Sequence, residues 1–123
     1  MTIKECYDSF GGSFEDVKHR LSSDALIQRL VIKFLADGSF DSLKEALENE
    51  DYPMAFRAAH TLKGVCQNLS FDKLSKSSGE MTELLRGKSG EDVDKAECDR
   101  IWAVLSKDYE DVTGAITIMR DSQ

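Results

Sequence analysis

One hydrophobic rhythm runs through almost the whole chain. Leu26, Ile27, Leu30, Val31, Phe34 and Leu35 recur at steps of three and four, the spacing that lines side chains along one stripe of an α-helix. The rhythm returns at Leu43, Ala46 and Leu47, and again at Ala55, Ala58, Ala59, Leu62, Val65, Cys66 and Leu69. It continues through Leu74, Met81, Leu84 and Leu85, and closes with Val93, Ile101, Val104, Leu105, Val112, Ile116 and Met119. No pair of strand-like runs flanks a hairpin turn. The punctuation agrees with helices. Ser13 suits the N-cap of a short helix over Phe14–Leu21, with Glu15 and Asp16 in its first turn. Ser22 or Ser23 starts the next, which Asp37-Gly38-Ser39 ends or breaks. A further helix stops near Glu50-Asp51. Pro53 fits the first turn of a helix running to about Leu69, roughly 25 Å long. Asp72 can cap the following one, Gly87 and Gly90 mark a loop, and the last helix begins near Asp92. The β-branched tail Ala115-Ile116-Thr117-Ile118 leaves its end open. The expectation is an all-α fold: an antiparallel up-down four-helix bundle with one or two short extra N-terminal helices. Without repeats, low-complexity tracts or linkers, residues 1–123 are expected to form one domain.

Composition narrows the function. Sixteen basic against 23 acidic side chains give a net charge of −7, a poor match to nucleic acid or an anionic membrane. Three cysteines, Cys6, Cys66 and Cys98, are scattered and odd in number. They form no CxxC or Cys/His pairing, so neither a disulfide framework nor a metal site is expected. Reduced thiols and the absence of an apolar signal segment in MTIKECYDSF point to the cytoplasm. The apolar runs are too short to span a bilayer. The charge is uneven, however. Residues 53–90 hold six basic and three acidic side chains, between two strongly acidic flanks. Helix-to-helix complementarity in a bundle explains such an island by itself; an anionic ligand or acidic partner is the sharper explanation.

The informative stretch is Phe56-Arg57-Ala58-Ala59-His60-Thr61-Leu62-Lys63-Gly64. On a helix, His60, Lys63 and Gly64 share a face, and Phe56, Arg57 and Gln67 extend it by a turn each way. The apolar set is centred elsewhere, so His60 is expected to be at least partly exposed. Gly64 is interior to a helix, where glycine costs about 1 kcal/mol against alanine, so a packing or access reason is expected. Lys63 beside a histidine disfavours imidazolium, which hinders a general base. It suits a histidine that carries a phosphoryl group, because neutral imidazole is the nucleophile and the ammonium offsets the oxygens' charge. No carboxylate or hydroxyl completes a triad, and no second histidine offers a metal pair.

The stretch AAHTLKG, followed by a helix carrying LLRG, resembles the histidine-containing phosphotransfer (HPt) domains of bacterial phosphorelays and chemotaxis kinases. The resemblance extends over residues 13 to 120 and includes the segments Leu30–Leu35 and Leu43–Asp51. It implies that His60 is the phosphoacceptor, that Lys63 supports the phosphoryl group and that Gly64 gives a receiver domain close access. By their place on the same face, Gln67 is expected to assist Lys63, and Phe56 and Arg57 to border the docking surface, although Arg57 and Gln67 also fit a merely solvated face. It also implies two-component partners: a histidine kinase and receiver domains. The protein would be a cytoplasmic, monomeric carrier without turnover of its own. It would need no cofactor, with Mg2+ residing on the receiver. Two positions depart from the family pattern. Ser70 stands where a glycine is common at the turn ten residues after the histidine. Thr82, with Glu83 beside it, stands where many members have a Gln or Glu that holds the imidazole, leaving open which side chain orients His60. Gly79 either leaves room near His60 or serves helix packing.

Other residues read as structural. Cys66 suits a small core position, Trp102 and Tyr109 suit packing, and nothing converges on His19. Phe56 fits core and docking roles equally. A helical adaptor that binds a signalling partner through the same face, without phosphorylation, is the alternative function; the intact His60, Lys63 and Gly64 count against it. A small hydrolase lacks its Ser/His/Asp set or metal spacing, and a kinase lacks a nucleotide-binding segment.

Overall fold

The computed structural model describes all 123 residues, and they are helical nearly throughout. Seven α-helices follow in order: α1 (Ile3–Phe10), α2 (Phe14–Leu21), α3 (Asp24–Lys33), α4 (Ser39–Glu48), α5 (Tyr52–Leu69), α6 (Asp72–Leu85) and α7 (Lys95–Asp121), with a 3-10 turn at Phe34–Ala36 between α3 and α4. The all-α expectation holds. Helices α4, α5, α6 and α7 pack each against the next. Phe40 closes the circuit from α4 to α7 by stacking on Tyr109, with ring centroids 3.8 Å apart, and on Trp102 at 5.1 Å. Trp102 and Tyr109 are thus packing residues, as their spacing suggests.

Local chemistry sets the boundaries. Ser13 and Ser23 accept from Asp16 and Leu26 backbone N–H groups as N-caps, and Asp51 does the same for Met54 at the start of α5, with Pro53 in its first turn. Two starts differ from expectation. Asp72 is the first residue of α6, and Phe71 occupies the cap position. Asp94 rather than Asp92 caps α7, its carboxylate accepting from Glu97 N–H, while Asp92 folds the preceding loop by accepting from Ser89 and Gly90. The β-branched tail of α7 stays helical to Asp121 because Ala115, Ile116 and Met119 are buried in the core. Val104, expected to face inward, is exposed on α7.

Helix α1 goes beyond the located expectations. It opens with a capping box, Thr2 Oγ1 accepting from Glu5 N–H and Glu5 accepting from Thr2 N–H, and it ends at Gly11 with φ +73°. Its Tyr7 and Phe10 join Phe14, Phe34 and Phe71 in one aromatic cluster. The turn after it presses on the turn after α5. A Cβ at Gly12 would lie 2.7 Å from the Tyr7 and Phe10 rings and 3.1 Å from the Ser70 carbonyl, so only glycine fits there.

That junction fixes the end of α5. A helix leaves its last carbonyls without partners of its own. Here the N-terminal segment serves four in a row. Arg20 Nη2 donates to the Gln67 and Asn68 carbonyls at 3.2 and 2.7 Å, Tyr7 Oη donates to Leu69 at 2.7 Å, and Ser13 N–H donates to Ser70 at 2.9 Å. Ser70 keeps the left-handed turn that glycine usually makes, with φ +56°. Its hydroxyl compensates for the strain, donating to Asp16 and accepting from Arg20, each at 2.6 Å.

Candidate functional site

Helix α5 carries the site on its outer face. Ala55, Ala58, Ala59, Leu62, Cys66 and Leu69 are buried, so the helix is held along the opposite stripe, with Val65 half-buried at its edge. His60 is therefore exposed. Its ring stacks on Phe56, one turn back, with centroids 6.0 Å apart and planes 11° from parallel. Phe56 is half-buried, packed against the core on one side.

Lys63 lies on the same face, half-buried. Its aliphatic stem runs past Gly79 on α6: a Cβ there would meet Lys63 Cδ at 3.7 Å and Cε at 3.8 Å. Gly79 thus gives the stem a smooth seat. Gly64 is different. A Cβ at Gly64 would meet nothing within 4 Å, so no packing demand explains the glycine. Its effect is to leave the surface one turn beyond His60 bare.

Helix α6 ends beside this face and contributes a residue that motif reasoning did not single out. The Arg86 guanidinium lies 5.1 Å from the Phe56 ring centroid, in cation–π range. It also donates two hydrogen bonds to Glu83, Nε to Oε2 at 3.2 Å and Nη2 to Oε1 at 3.0 Å. Arg86 holds the Glu83 carboxyl below the usual glutamate range, and the charges of Lys63 and His60 act in the same direction. The LLRG segment contains this arginine, and its lone acidic neighbour three residues back was the available signal.

The two expected imidazole-orienting residues do not hold His60 here. Thr82 is fully buried, and its hydroxyl donates to the Ser78 carbonyl of its own helix at 2.7 Å. Glu83 spends both oxygens on Arg86. Gln67 stands two turns from His60, roughly 10 Å along the axis, and its backbone carbonyl accepts from Arg20. Its exposed side chain belongs to the outer part of the same face. Arg57 is exposed but lies against Met54, bordering a shallow groove with α4 residues Ser39 and Ser42, so it flanks the site rather than entering it. His19 is exposed on α2, remote in sequence and element from this cluster.

The basic island is only slightly neutralised by neighbouring helices. Lys73 approaches Asp108 of α7 at 3.9 Å, and Arg86 pairs within its own helix end. Arg57, Lys63, Lys76 and Lys88 form no ion pair, so helix complementarity does not account for the excess. What results is an exposed imidazole stacked on Phe56, on a helix face that also carries Lys63, with the Arg86 guanidinium over the Phe56 ring and no side chain at Gly64 one turn on. That arrangement suits transfer of an anionic group to and from His60 at a flat protein contact. No three His, Cys, Asp or Glu side chains come together to hold a metal ion, and no helix is long and apolar enough to cross a membrane.

Comparison with known proteins agrees with this geometry. Residues 33–115 match the family described as the Hpt domain, a span that takes in α4, α5, α6, most of α7 and every side chain of the site. No curated protein and no solved structure matches the chain. With more than half of its length matched, and an exposed histidine on the second helix of the packed set, the chain belongs to the Hpt domain family.

Proposed function

We propose that this protein relays a phosphoryl group between a receiver aspartate, or a histidine kinase, and another receiver aspartate, carrying it as phosphohistidine at His60. Family membership supplies the coarse role, phosphotransfer in two-component signalling. The observation that carries the finer reading is the pairing of an exposed, uncapped imidazole with Lys63, Arg86 and the open surface at Gly64.

Neutral His60 attacks phosphorus in line through Nε2. The P–O bond of the aspartyl phosphate breaks, and its electron pair leaves on the receiver's carboxylate. A P–N bond forms, and the ring retains its Nδ1 proton until water takes it. The onward step is the reverse, with a second carboxylate as nucleophile. The transition state is loose, so positioning and charge neutralisation do most of the work. Lys63, braced over Gly79, and Arg86, braced over Phe56, supply that neutralisation. Phe56 also fixes the plane of the imidazole in place of a hydrogen-bonding side chain. Gly64, with Gln67 and Arg57 at the margins, forms the contact face. The divalent ion of receiver chemistry stays with the receiver. The protein has no turnover of its own, and the reading carries with it a cytoplasmic monomer that docks one partner at a time.

The test is transfer from a phosphorylated receiver domain to the wild type and to His60→Gln. Acid-labile label on the wild type alone is the expected result. Label that persists on His60→Gln moves the acceptor elsewhere. No label from a panel of receivers or from phosphoramidate leaves the non-phosphorylated adaptor as the better reading.

A further inference from the structure

The site contains one feature that works against an anionic ligand, and it is built in. Glu83 is the only carboxylate hydrogen-bonded to a cation of the site, and it takes both of its bonds from Arg86. Glu80, one turn back, is drawn to Arg100 on α7 at 3.7 Å instead. Glu83 lines an open groove with Lys63, Gly79, Glu80 and Glu97, and of these carboxylates it is the one bonded to Arg86; the charges of Lys63 and His60 act on it, which sets it at the margin of the His60 face.

We propose that Glu83 is a positioning residue that acts through Arg86, withholding the guanidinium from the phosphoryl group and so keeping phosphohistidine a ready donor. This rests on the reading of His60 as phosphoacceptor. The Glu83–Arg86 pair is exposed on both sides, with side chains 62% and 54% accessible. An exposed pair of this kind is weak. A phosphoryl group, with nearly two negative charges, competes for the same guanidinium. In this proposal the guanidinium is shared between the two, and each share left on Glu83 is stabilisation the phosphohistidine does not receive. A glutamine at the position would release Arg86 fully. Phosphohistidine would then be more stable, and the onward step less favourable. The carboxylate thus holds the carrier near balance with its receivers, which a bidirectional relay requires. Glu83 leaves the atoms and electrons of the transfer unchanged and alters only its equilibrium constant.

The experiment equilibrates the full chain with a purified receiver domain that has been phosphorylated by phosphoramidate, and reads the ratio of phosphohistidine to aspartyl phosphate. Glu83→Gln is expected to raise that ratio roughly three- to tenfold at low ionic strength, with the gain shrinking as salt is added. In an Arg86→Ala background, the same glutamine is expected to raise the ratio by less than twofold, because only the direct effect of the Glu83 charge on the site is left. A ratio within twofold of wild type for Glu83→Gln overturns the inference. So does an equal gain in the Arg86→Ala background, which would make Glu83 a simple repulsive charge. A wild type that takes no label from the receiver overturns the carrier reading itself, and is told apart from the other outcomes because no ratio exists to compare.

Discussion

Gly64 offers a clean separation of stability from function. It is an interior residue of an 18-residue helix, and a Cβ there meets nothing within 4 Å. Replacing it with alanine therefore adds no clash and removes the conformational freedom of glycine from the unfolded chain. The gain is about 1 kcal/mol, the ordinary difference between the two residues inside a helix. For a chain of this size that raises the thermal midpoint by about 4 °C. Leucine has nearly the same helix propensity as alanine, so Gly64→Leu should be stabilised to a similar extent. Its side chain, however, would project into the bare strip one turn beyond His60. The two variants are thus expected to share a raised midpoint and to differ in transfer. Alanine should leave receiver-to-His60 transfer within a few-fold of wild type, and leucine should reduce it at least tenfold. The assays are circular dichroism melting and single-turnover transfer of label. A lowered midpoint for Gly64→Ala would refute the claim that the position is unpacked. Unchanged transfer in Gly64→Leu would refute the claim that a partner lies flat on this strip.

Three further outcomes follow from the geometry. Lys63→Ala should slow phosphorylation of His60 while moving the melting midpoint by no more than a degree or two, since Lys63 forms no ion pair and only its stem is packed; an unaltered transfer rate would remove it from the site. Thr82→Val keeps the buried shape and loses only the bond to Ser78, so stability should change by less than about 1 kcal/mol and transfer not at all; a transfer defect would show that Thr82 acts on His60. Burial pushes the Cys6 thiol up to about 11 from an ordinary 9.0, and raises Cys66 and Cys98 as well. A thiol whose pKa is higher in the folded state favours folding below the unfolded value and loses that contribution as pH rises through the folded one. Denaturant midpoints should accordingly fall between about pH 9 and 11, and a thiol reagent at pH 8 should leave all three cysteines unmodified until the chain unfolds; a fast-reacting native thiol would contradict their burial.

Much of this architecture can be read from residue spacing because the core is a set of helical stripes. The inner face of α5 is visible as Ala55 through Leu69, and His60 then falls on the outer face by geometry alone. Helix α1 is harder, since four of its eight residues are polar or charged and its stripe, Ile3, Cys6, Tyr7 and Phe10, is brief. The Thr2-to-Glu5 capping box was the signal that could have located it. The site's second half is legible only in part. Spacing from His60 brings Lys63 and Gly64 to its face, but nothing in a linear pattern says which residue of α6 comes across. The structure sets Arg86 there by way of the Phe56 ring, and it turns Thr82 inward, because the packing of α5 on α6 decides the rotation of α6 about its own axis.

The four carbonyls held at the end of α5 have a consequence for anyone who moves this module between proteins. The matched family segment begins at Lys33, the final residue of α3. A graft cut at that point would leave behind Ile3, Cys6, Tyr7, Phe10, Val17, Ile27 and Val31, seven of the 29 side chains in the core. It would also leave Arg20, Tyr7 and Ser13, and with them every partner that the N-terminal segment gives to the carbonyls of residues 67–70. The transplanted helix would still display AAHTLKG, yet its trailing turn would fray into solvent beside Phe71. A chimeric sensor kinase built on this carrier should therefore take its seam upstream of Thr2, ahead of the helix whose sequence the family pattern does not include.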